Sequence, residues 1–344
     1  MKEKKVFIMS DCGNDSLGTF IEGIKEAVYC AVNGANCRRG GHKSLIDNLL
    51  RYANYFIFPI KCLSVRKRYD VVIGWQQFYA VTMAFYCRLF RMRKCGTLVA
   101  VNFTYKRKGG FLGGVYHRFM KYACDNVHLD YLHVPSRNYV ERMVCELGIP
   151  KEKFIVTGFG VDDIAEKYAD NHVGLGEFCL SIGRSNRDFD WLVGVWRQDS
   201  LKDRRLMILS DTWTPKGALL DNVTWRNDIH GEAQYAYFND AQLCVTPIAD
   251  GGVCSGDTVL LTGMMFGKPV VVTTPSTLSE MYVSDGGNGM CLSKDTATAA
   301  RRIADLLDND ALRERLGMNA RRDFLEHFSR RSMGREIMKQ ISDN

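Results

Sequence analysis

Segments typical of β-strands alternate with segments typical of helices along the chain, and the alternation starts again in the second half. Short apolar runs separated by helix-length amphipathic stretches favour βαβ units, whose strands form parallel sheets covered by helices. Because 344 residues exceed what one hydrophobic core comfortably serves, two domains are expected. The pattern therefore predicts an α/β protein with two Rossmann-like, doubly wound parallel sheets.

The strand and helix candidates divide evenly between the two halves. Strands are predicted at residues 5–9, 55–58, 71–74, 97–102, 128–134 and 153–157, and then at 177–182, 206–210, 223–225, 241–246, 269–273 and 289–292. Helices are predicted at residues 17–32, 136–147 and 259–266, and two more close the chain at 299–307 and 312–324. The Gly-, Asp- and Asn-rich stretch 158–176 is the predicted joint. We expect domains at 1–165 and 166–344, with the last helix available to pack back on the first domain.

Composition excludes several classes of protein. No run of uncharged apolar residues is long enough for a membrane span. The charged N-terminus leads directly into a strand, so we expect no signal peptide and a cytoplasmic location. The 12 cysteines are scattered without Cys-x-x-Cys spacing, which predicts reduced thiols rather than a metal site or disulfides. No cofactor and no metal are expected.

Positive charge is concentrated in the first half. Residues 1–165 contain 25 Lys and Arg against 14 Asp and Glu, whereas residues 166–344 contain 21 against 25. One cluster, Lys106, Arg107 and Lys108, lies among aromatic residues, and such clusters attract anionic lipid headgroups at about 1 kcal/mol per charge. We expect peripheral contact with the inner face of a membrane. A generic basic surface is the alternative, and the absence of a nucleic-acid-binding motif argues against that partner.

A glycine-rich turn is the strongest candidate for a ligand site. Residues 251–258 follow a predicted strand and precede a predicted helix, so small residues there would let the backbone approach a pyrophosphate at the helix N-terminus. Ser255 and Thr258 would add hydroxyl donors. An ordinary turn with a helix cap is the alternative interpretation.

A second candidate follows the first strand of the second half. Gly183 stands beside Arg184 and Arg187, and two guanidinium groups spaced in this way could bind a diphosphate through charge-assisted hydrogen bonds. Solvated surface arginines are the alternative. The position at the end of a parallel strand favours the functional interpretation.

The sequence of residues 260–273, Leu-Leu-Thr-Gly-Met-Met-Phe-Gly-Lys-Pro-Val-Val-Val-Thr, resembles a signature of retaining glycosyltransferases of family four. Residues 134–136, 147–149, 156–162 and 316–329 also resemble family segments and occur in the same order. The resemblance covers most of residues 130–330. It implies the GT-B architecture, in which two Rossmann-like domains face each other across a cleft and the C-terminal domain holds a nucleotide-diphosphate sugar.

The resemblance also implies roles for individual residues. Donor phosphates would be bound by Ser255, Gly256, Asp257 and Thr258, with Gly183 beside them and Arg184 and Arg187 neutralising their charge. The base would be contacted by Asn227, Asp228 and Ile229. Asn102 would stand near the reacting centre, and the acceptor side would include Asp11, Gly13 and Tyr105.

Two positions depart from the family pattern. Cys254 and Thr262 occupy places where the family commonly has glutamates, and the Thr262 hydroxyl is predicted to bond the donor ribose instead. No general base is evident. The family implies that none is required, because the leaving phosphate accepts the acceptor proton on the same face of the sugar. His117 and His133 are the nearest imidazoles along the chain, and lone histidines are more often structural.

The expected function is therefore transfer of a hexose-type sugar, with retention, from a nucleotide diphosphate to a saccharide or lipid-linked saccharide, as in surface polysaccharide or glycolipid synthesis. A catalytically silent nucleotide-sugar-binding relative and a sugar-nucleotide epimerase are the alternatives. The first turn lacks the Gly-x-Gly-x-x-Gly of dinucleotide-dependent oxidoreductases, and residues 263–269 lack the spacing of an NTPase P-loop.

Overall fold

A computed structural model of the chain describes residues 3–12, 14–37 and 45–343. The predicted acceptor-side residue Gly13 lies outside these ranges. The chain forms two compact units, one of residues 1–159 with 330–344 and one of residues 160–329. Within the described ranges, no helix has both the length and the apolar character to cross a bilayer.

Strands and helices alternate in both units. The strands are β1 (Lys4–Ser10), β2 (Cys30–Asn36), β3 (Val71–Gly74), β4 (Thr97–Ala100), β5 (Tyr131–Val134), β6 (Phe154–Val156), β7 (Cys179–Ile182), β8 (Leu206–Leu209), β9 (Val223–Arg226), β10 (Leu243–Thr246), β11 (Val270–Thr273) and β12 (Gly289–Leu292). The helices are α1 (Gly18–Ala27), α2 (Leu45–Lys61), α3 (Gln77–Leu89), α4 (Gly110–Cys124), α5 (Arg137–Leu147), α6 (Phe189–Trp196), α7 (Ala233–Asp240), α8 (Asp257–Met265), α9 (Thr277–Met281), α10 (Thr296–Leu307), α11 (Asp310–Asp323) and α12 (Arg330–Asp343).

The first unit is built on a parallel six-stranded sheet in the order β2-β1-β3-β4-β5-β6. Buried Val and Ile side chains of the central strands pack beneath α1 and α12. Two glycines let these helices approach closely: a Cβ on Gly23 would lie 1.8 Å from the Arg331 carbonyl oxygen, and one on Gly334 would lie 2.3 Å from that of Phe20. The last helix of the chain therefore packs in the first unit.

Two of the predicted elements in this unit are wrong. Residues 55–58 belong to α2 rather than to a strand, since Tyr55 and Phe58 are buried at helical spacing and their aromatic character mimicked a strand. The helix predicted at 17–32 ends at Ala27, after which the chain forms β2. As an edge strand whose short apolar start is interrupted by Asn33 and Gly34, β2 lacks the apolar pattern by which strands are recognised.

The second unit contains a parallel six-stranded sheet in the order β12-β11-β10-β7-β8-β9. Its core includes Trp196 and Leu306, contributed by α6 and α10, packed against Ile208 and Val271 of the sheet. Every strand predicted here is present, and so are the two helices predicted after it, as α10 and α11. Two doubly wound parallel sheets confirm the predicted fold class.

Candidate functional site

The two segments singled out in the sequence follow neighbouring strands of the second sheet. β7 and β10 pair directly, with Cys179 opposite Leu243. From β7 the chain passes through α6 to β8 on one side, and from β10 through α8 to β11 on the other. In open parallel sheets, the crevice beyond the carboxyl ends of two such strands is where ligands bind. Residues 183–188 and 251–256 both border this crevice.

Hydrogen bonds join these two segments. The Asn186 side chain donates to the Asp250 carbonyl oxygen at 2.9 Å and accepts from the Asp250 amide at 2.8 Å. The Asp188 amide donates to the Pro247 carbonyl oxygen at 2.9 Å. Asn186 has a φ of 55°, a left-handed conformation that asparagine tolerates better than most residues. The two loops are therefore held together before any ligand arrives.

Arg187 lies between the two loops, against glycine backbone on both sides. A Cβ on Gly183 would lie 2.4 Å from Arg187 Nε, and one on Gly256 would lie 2.8 Å from Arg187 Nη2. The guanidinium donates to the carbonyl oxygens of Ile182 at 3.2 Å and Ser185 at 3.1 Å. Burial lowers the pKa of Arg187 to about 10, so the group stays protonated at neutral pH. The loops thus hold a fixed cation at the crevice.

The N-terminus of α8 supplies hydrogen-bond donors beside this cation. Gly256, with a φ of 102°, precedes the helix, and no side chain in the described part of the chain caps it. The first amides of a helix have no partner within the helix, and they carry partial positive charge. Among the described residues, the buried Ser255 Oγ also has no hydrogen-bond partner. Arginine, hydroxyl and helix amides together form the kind of donor set that binds phosphate.

The side chains of Asp257 and Thr262 in α8 are engaged within the protein. Asp257 Oδ1 accepts a hydrogen bond from the Tyr282 hydroxyl at 2.7 Å, and burial raises the pKa of Asp257. Thr258 is exposed. Thr262 is buried and donates its hydroxyl proton to the Thr258 carbonyl oxygen at 2.7 Å, so that proton is already used. Cys254 is half-buried just before the turn.

Arg184 has surroundings unlike those of Arg187. Its side chain is 76% exposed, and its Nε donates to Asp211 Oδ1 at 2.8 Å. Asp211 lies just past the carboxyl end of β8, the strand on the other side of β7. The two arginines predicted to act as a pair therefore differ in burial and partners, and Arg187 is the one packed on Gly256.

The predicted base-binding residues follow β9, the edge strand of the sheet. Arg226 pairs with both carboxylate oxygens of Asp228, at 2.8 and 2.6 Å, while Asn227 is exposed. Ile229 packs partly against the core and accepts a hydrogen bond from Gln234 at 3.2 Å. These residues stand two strands away from β7 at the same sheet edge.

In the first unit, the residue predicted to lie near the reacting centre is tied to a buried histidine. The Asn102 amide donates to His133 Nδ1 at 3.2 Å, and Asn102 has a φ of 56°. Because Nδ1 accepts, Nε2 carries the proton, and it lies 2.8 Å from both the Gly158 carbonyl oxygen and Thr157 Oγ1. Burial lowers the pKa of His133 to about 4. His133 is a neutral structural group.

Three further predictions fall elsewhere in the first unit. Asp11 directly follows β1 and is half-buried. Tyr105 is buried, and its hydroxyl lies 2.7 Å from His117 Nδ1. The basic cluster of Lys106, Arg107 and Lys108 is exposed immediately before α4.

Three residues that contribute to the crevice were not predicted from the sequence. Asn186 joins the two loops, Tyr282 holds Asp257, and Asp211 pairs with Arg184. Asn186 lay inside a segment already singled out, and Asp211 could have been found from its position after a strand. No sequence signal marks Tyr282, which is 25 residues from its partner.

Cavities occur at the opposite edges of both sheets. One of about 550 Å³ is bordered by Asp240, Lys268 and Arg313, and one of about 490 Å³ by Arg88, His128 and Lys153. Both lie before the strands, at the edge opposite to the one where open parallel sheets bind ligands, so they are poor candidates for the phosphate. In the ranges the structure describes, no group of three or more His, Cys, Asp or Glu is placed to hold a metal ion. The expectation that no metal is needed stays a prediction.

Most of the second unit matches a known protein family. Residues 177–309, which contain both loops of the crevice, match the family described as Glycosyl transferases group 1. No curated protein sequence matches the chain significantly.

Several solved structures share the fold over nearly the whole chain. HepE from Anabaena, solved in complex with UDP, superposes with a TM-score of 0.59 at 14% identity, over 99% of this chain and 100% of that one. Sucrose-phosphate synthase from Thermosynechococcus elongatus gives 0.64 at 13% identity, over 99% of both chains. WaaG, a glycosyltransferase involved in lipopolysaccharide biosynthesis, gives 0.59 at 16% identity, over 99% and 100%. The chain therefore has the GT-B fold.

Proposed function

We propose that this protein is a glycosyltransferase that takes a sugar from a nucleoside-diphosphate donor bound at the carboxyl edge of its second sheet. The proposal rests on one observation: buried Ser255 Oγ, without a partner among the described residues, lies beside the uncapped start of α8 and the guanidinium of Arg187. An unsatisfied buried hydroxyl costs free energy, so its retention favours a ligand that accepts its hydrogen bond. The match of residues 177–309 to group 1 glycosyltransferases supports the same reading.

The donor set suits the electronic demands of glycosyl transfer. As the bond between the anomeric carbon and the phosphate oxygen breaks, negative charge accumulates on the departing nucleoside diphosphate. Arg187 would neutralise part of that charge, while Ser255 and the α8 amides would donate hydrogen bonds to the phosphate oxygens. Because the loops are joined through Asn186 and Asp250, these groups are positioned in advance.

We further propose that the anomeric configuration is retained and that a hexose-type unit is transferred to a saccharide or lipid-linked saccharide. The new bond would form between the anomeric carbon and an acceptor oxygen on the face that the phosphate leaves. The acceptor proton would pass to the departing phosphate oxygen. This route requires no protein base, and neutral His133, with both ring nitrogens engaged, is unsuited to be one.

The donor is proposed to carry uridine diphosphate. HepE is solved with UDP and with UDP-glucose and shares the fold, which makes these the first ligands to test. Arg184 and Asp228 stand at the same sheet edge, after β7 and β9, and are proposed to border the sugar and the base, respectively.

The decisive experiment combines binding with turnover. UDP and UDP-glucose at about 100 times the dissociation constant should add about 2.7 kcal/mol to the free energy of unfolding. Release of UDP from a UDP-sugar should then depend on added saccharide acceptors. Binding without any release would identify a catalytically silent relative, and conversion of the sugar without an acceptor would identify an epimerase.

A glycine substitution tests the site itself. Gly256→Ala would place a Cβ 2.8 Å from Arg187 Nη2 at a φ of 102°, so UDP affinity should fall at least about tenfold, or about 1.4 kcal/mol. Gly217→Ala is the matched control, because a Cβ there meets nothing within 4 Å. Unchanged UDP affinity in the Gly256 variant, measured by calorimetric titration, would show that the phosphate does not bind at this turn.

A further inference from the structure

Helix α2 presents its apolar side chains to solvent. Its outer face contains Leu49 and Ile46, which are 68% and 69% exposed. The face continues along the helix with Leu50, Phe56, Ile57 and Ile60, all exposed. These residues recur at intervals of three and four, so they form one stripe along the 17-residue helix. A surface helix normally shows the opposite arrangement.

The start of α4 extends this apolar surface. Phe111 and Leu112 in its first turn are 86% and 80% exposed, and Val115 is exposed one turn later. The rings of Phe56 on α2 and Phe119 on α4 lie 5.7 Å apart, which joins the two helices on this side of the first unit. Contiguous exposed apolar surface of this kind usually marks an interaction site.

The same region holds the positive charge of the chain. Residues 45–124 contain 14 Lys and Arg but only two Asp. Lys106, Arg107 and Lys108 immediately precede the apolar start of α4, and Arg118 and Lys121 are exposed further along that helix. The apolar stripe is therefore flanked by cations with almost no acidic neighbours in this stretch.

We propose that α2 and the start of α4 form a docking face for an anionic lipid bilayer. Apolar side chains of the stripe insert between the lipids, while the flanking Lys and Arg contact headgroup phosphates. A second copy of the chain is a poorer occupant, because pairing this face with itself would bring two basic surfaces together. A helix of 17 residues is about 25 Å long, long enough to lie in the interface without crossing it.

This inference does not depend on the proposed transfer reaction, and it adds to the basic cluster a set of apolar residues. Electrostatic attraction alone would be removed by salt, whereas insertion of apolar side chains survives salt. The two contributions can therefore be separated on vesicles of phosphatidylcholine with and without phosphatidylglycerol, by flotation at low and high salt.

The variant L49S/L50S/I57S should lose at least about tenfold in vesicle partitioning, including the salt-resistant part, because the side chains that enter the bilayer are truncated. The variant K106Q/R107Q/K108Q should lose mainly the salt-sensitive part. Met318→Ser, at a side chain 61% exposed in the second unit, is the control and should float as the wild type does. Circular dichroism and UDP binding, unchanged in all three, would show intact folding.

Several results would overturn the proposal. Failure of the wild type to float on anionic vesicles would do so, as would flotation of L49S/L50S/I57S equal to that of the wild type. Equal flotation with and without phosphatidylglycerol would show that the Lys and Arg side chains do not contribute to membrane binding. A wild-type dimer in light scattering that L49S/L50S/I57S converts to monomers would assign the stripe to a second copy of the chain.

Discussion

The carboxyl edges of the two sheets are built in opposite ways. In the first unit, the polar groups at the ends of β4, β5 and β6 bond one another: His133, in β5, connects Asn102 to Thr157 and Gly158. In the second unit, the segments that follow β7 and β10 contain hydrogen-bond donors that have no partner among the described residues. Ser255 Oγ has no partner in the described part of the chain, and no side chain caps α8.

The contrast teaches that one topology serves two purposes. A self-satisfied edge gains stability from its hydrogen bonds, and it offers no donors that an anion could use. An edge with spare donors costs stability in the free protein and regains it when a ligand binds. Substitutions at His133, Arg187 and Ser255 test this division between a structural edge and a binding edge.

The largest effect is expected at His133, in the structural edge. Its pKa of about 4 lies below the ordinary 6.5, so the folded state favours the neutral ring. The stabilisation is complete above pH 6.5 and is lost as the pH falls toward 4, because the unfolded chain binds the proton first. The wild type should lose about 3 kcal/mol more than His133→Gln across this window.

Urea unfolding at a series of pH values measures the difference, and the variant corrects for carboxylates that titrate in the same range. UDP affinity near neutral pH should be the same in both proteins. Parallel pH profiles of wild type and variant would show that His133 does not stay neutral in the folded protein.

A smaller effect is expected from the arginine of the binding edge. Arg187→Ala removes a cation that lies against Gly256, and a lost hydrogen bond to a charged group costs about 2 kcal/mol, or about thirtyfold in UDP affinity. Arg184→Ala is the matched comparison, since its exposed side chain is paired with Asp211, and its loss should change affinity by about twofold. Equal losses in the two variants would contradict the assignment of the phosphate to Arg187.

The smallest effect is expected from Ser255→Ala, and its direction is informative. UDP affinity should fall about fivefold, the loss of about 1 kcal/mol for one neutral hydrogen bond. The unfolding free energy without ligand should stay the same or rise, because an unsatisfied hydroxyl is removed. Ser181→Ala should behave in reverse, since that hydroxyl donates to the Val245 carbonyl oxygen at 2.8 Å. A destabilised Ser255 variant with normal affinity would make this serine structural.

Much of the fold could be predicted because it depends on local patterns. Buried strands such as β3, β8 and β11 are short apolar runs, and parallel sheets produce such runs. The edge strand β2, interrupted by Asn and Gly, and the aromatic helix α2 could not be recognised in this way. In α2 apolar side chains lie on both the buried and the exposed faces, so its pattern misleads any interpretation that assumes apolar residues point inward.

The candidate site was predictable only in part. Glycines and arginines after strands predicted where donors would stand, because the carboxyl edge of a parallel sheet is the ligand edge. The sequence did not distinguish Arg184 from Arg187, since the difference lies in which guanidinium packs against glycine backbone. Nor did it predict that the Thr262 hydroxyl donates to the Thr258 carbonyl oxygen.

By itself, the sequence determined most of the strands, the presence of two doubly wound sheets, and the turns that carry Gly256 and Arg187. Local periodicity and residue type are sufficient for these, because they reflect the repeat of each element and the conformational freedom of glycine. Only the tertiary structure decided which donors remain unsatisfied. That property depends on neighbours distant in sequence, as with Asn186 and Asp250, which are 64 residues apart.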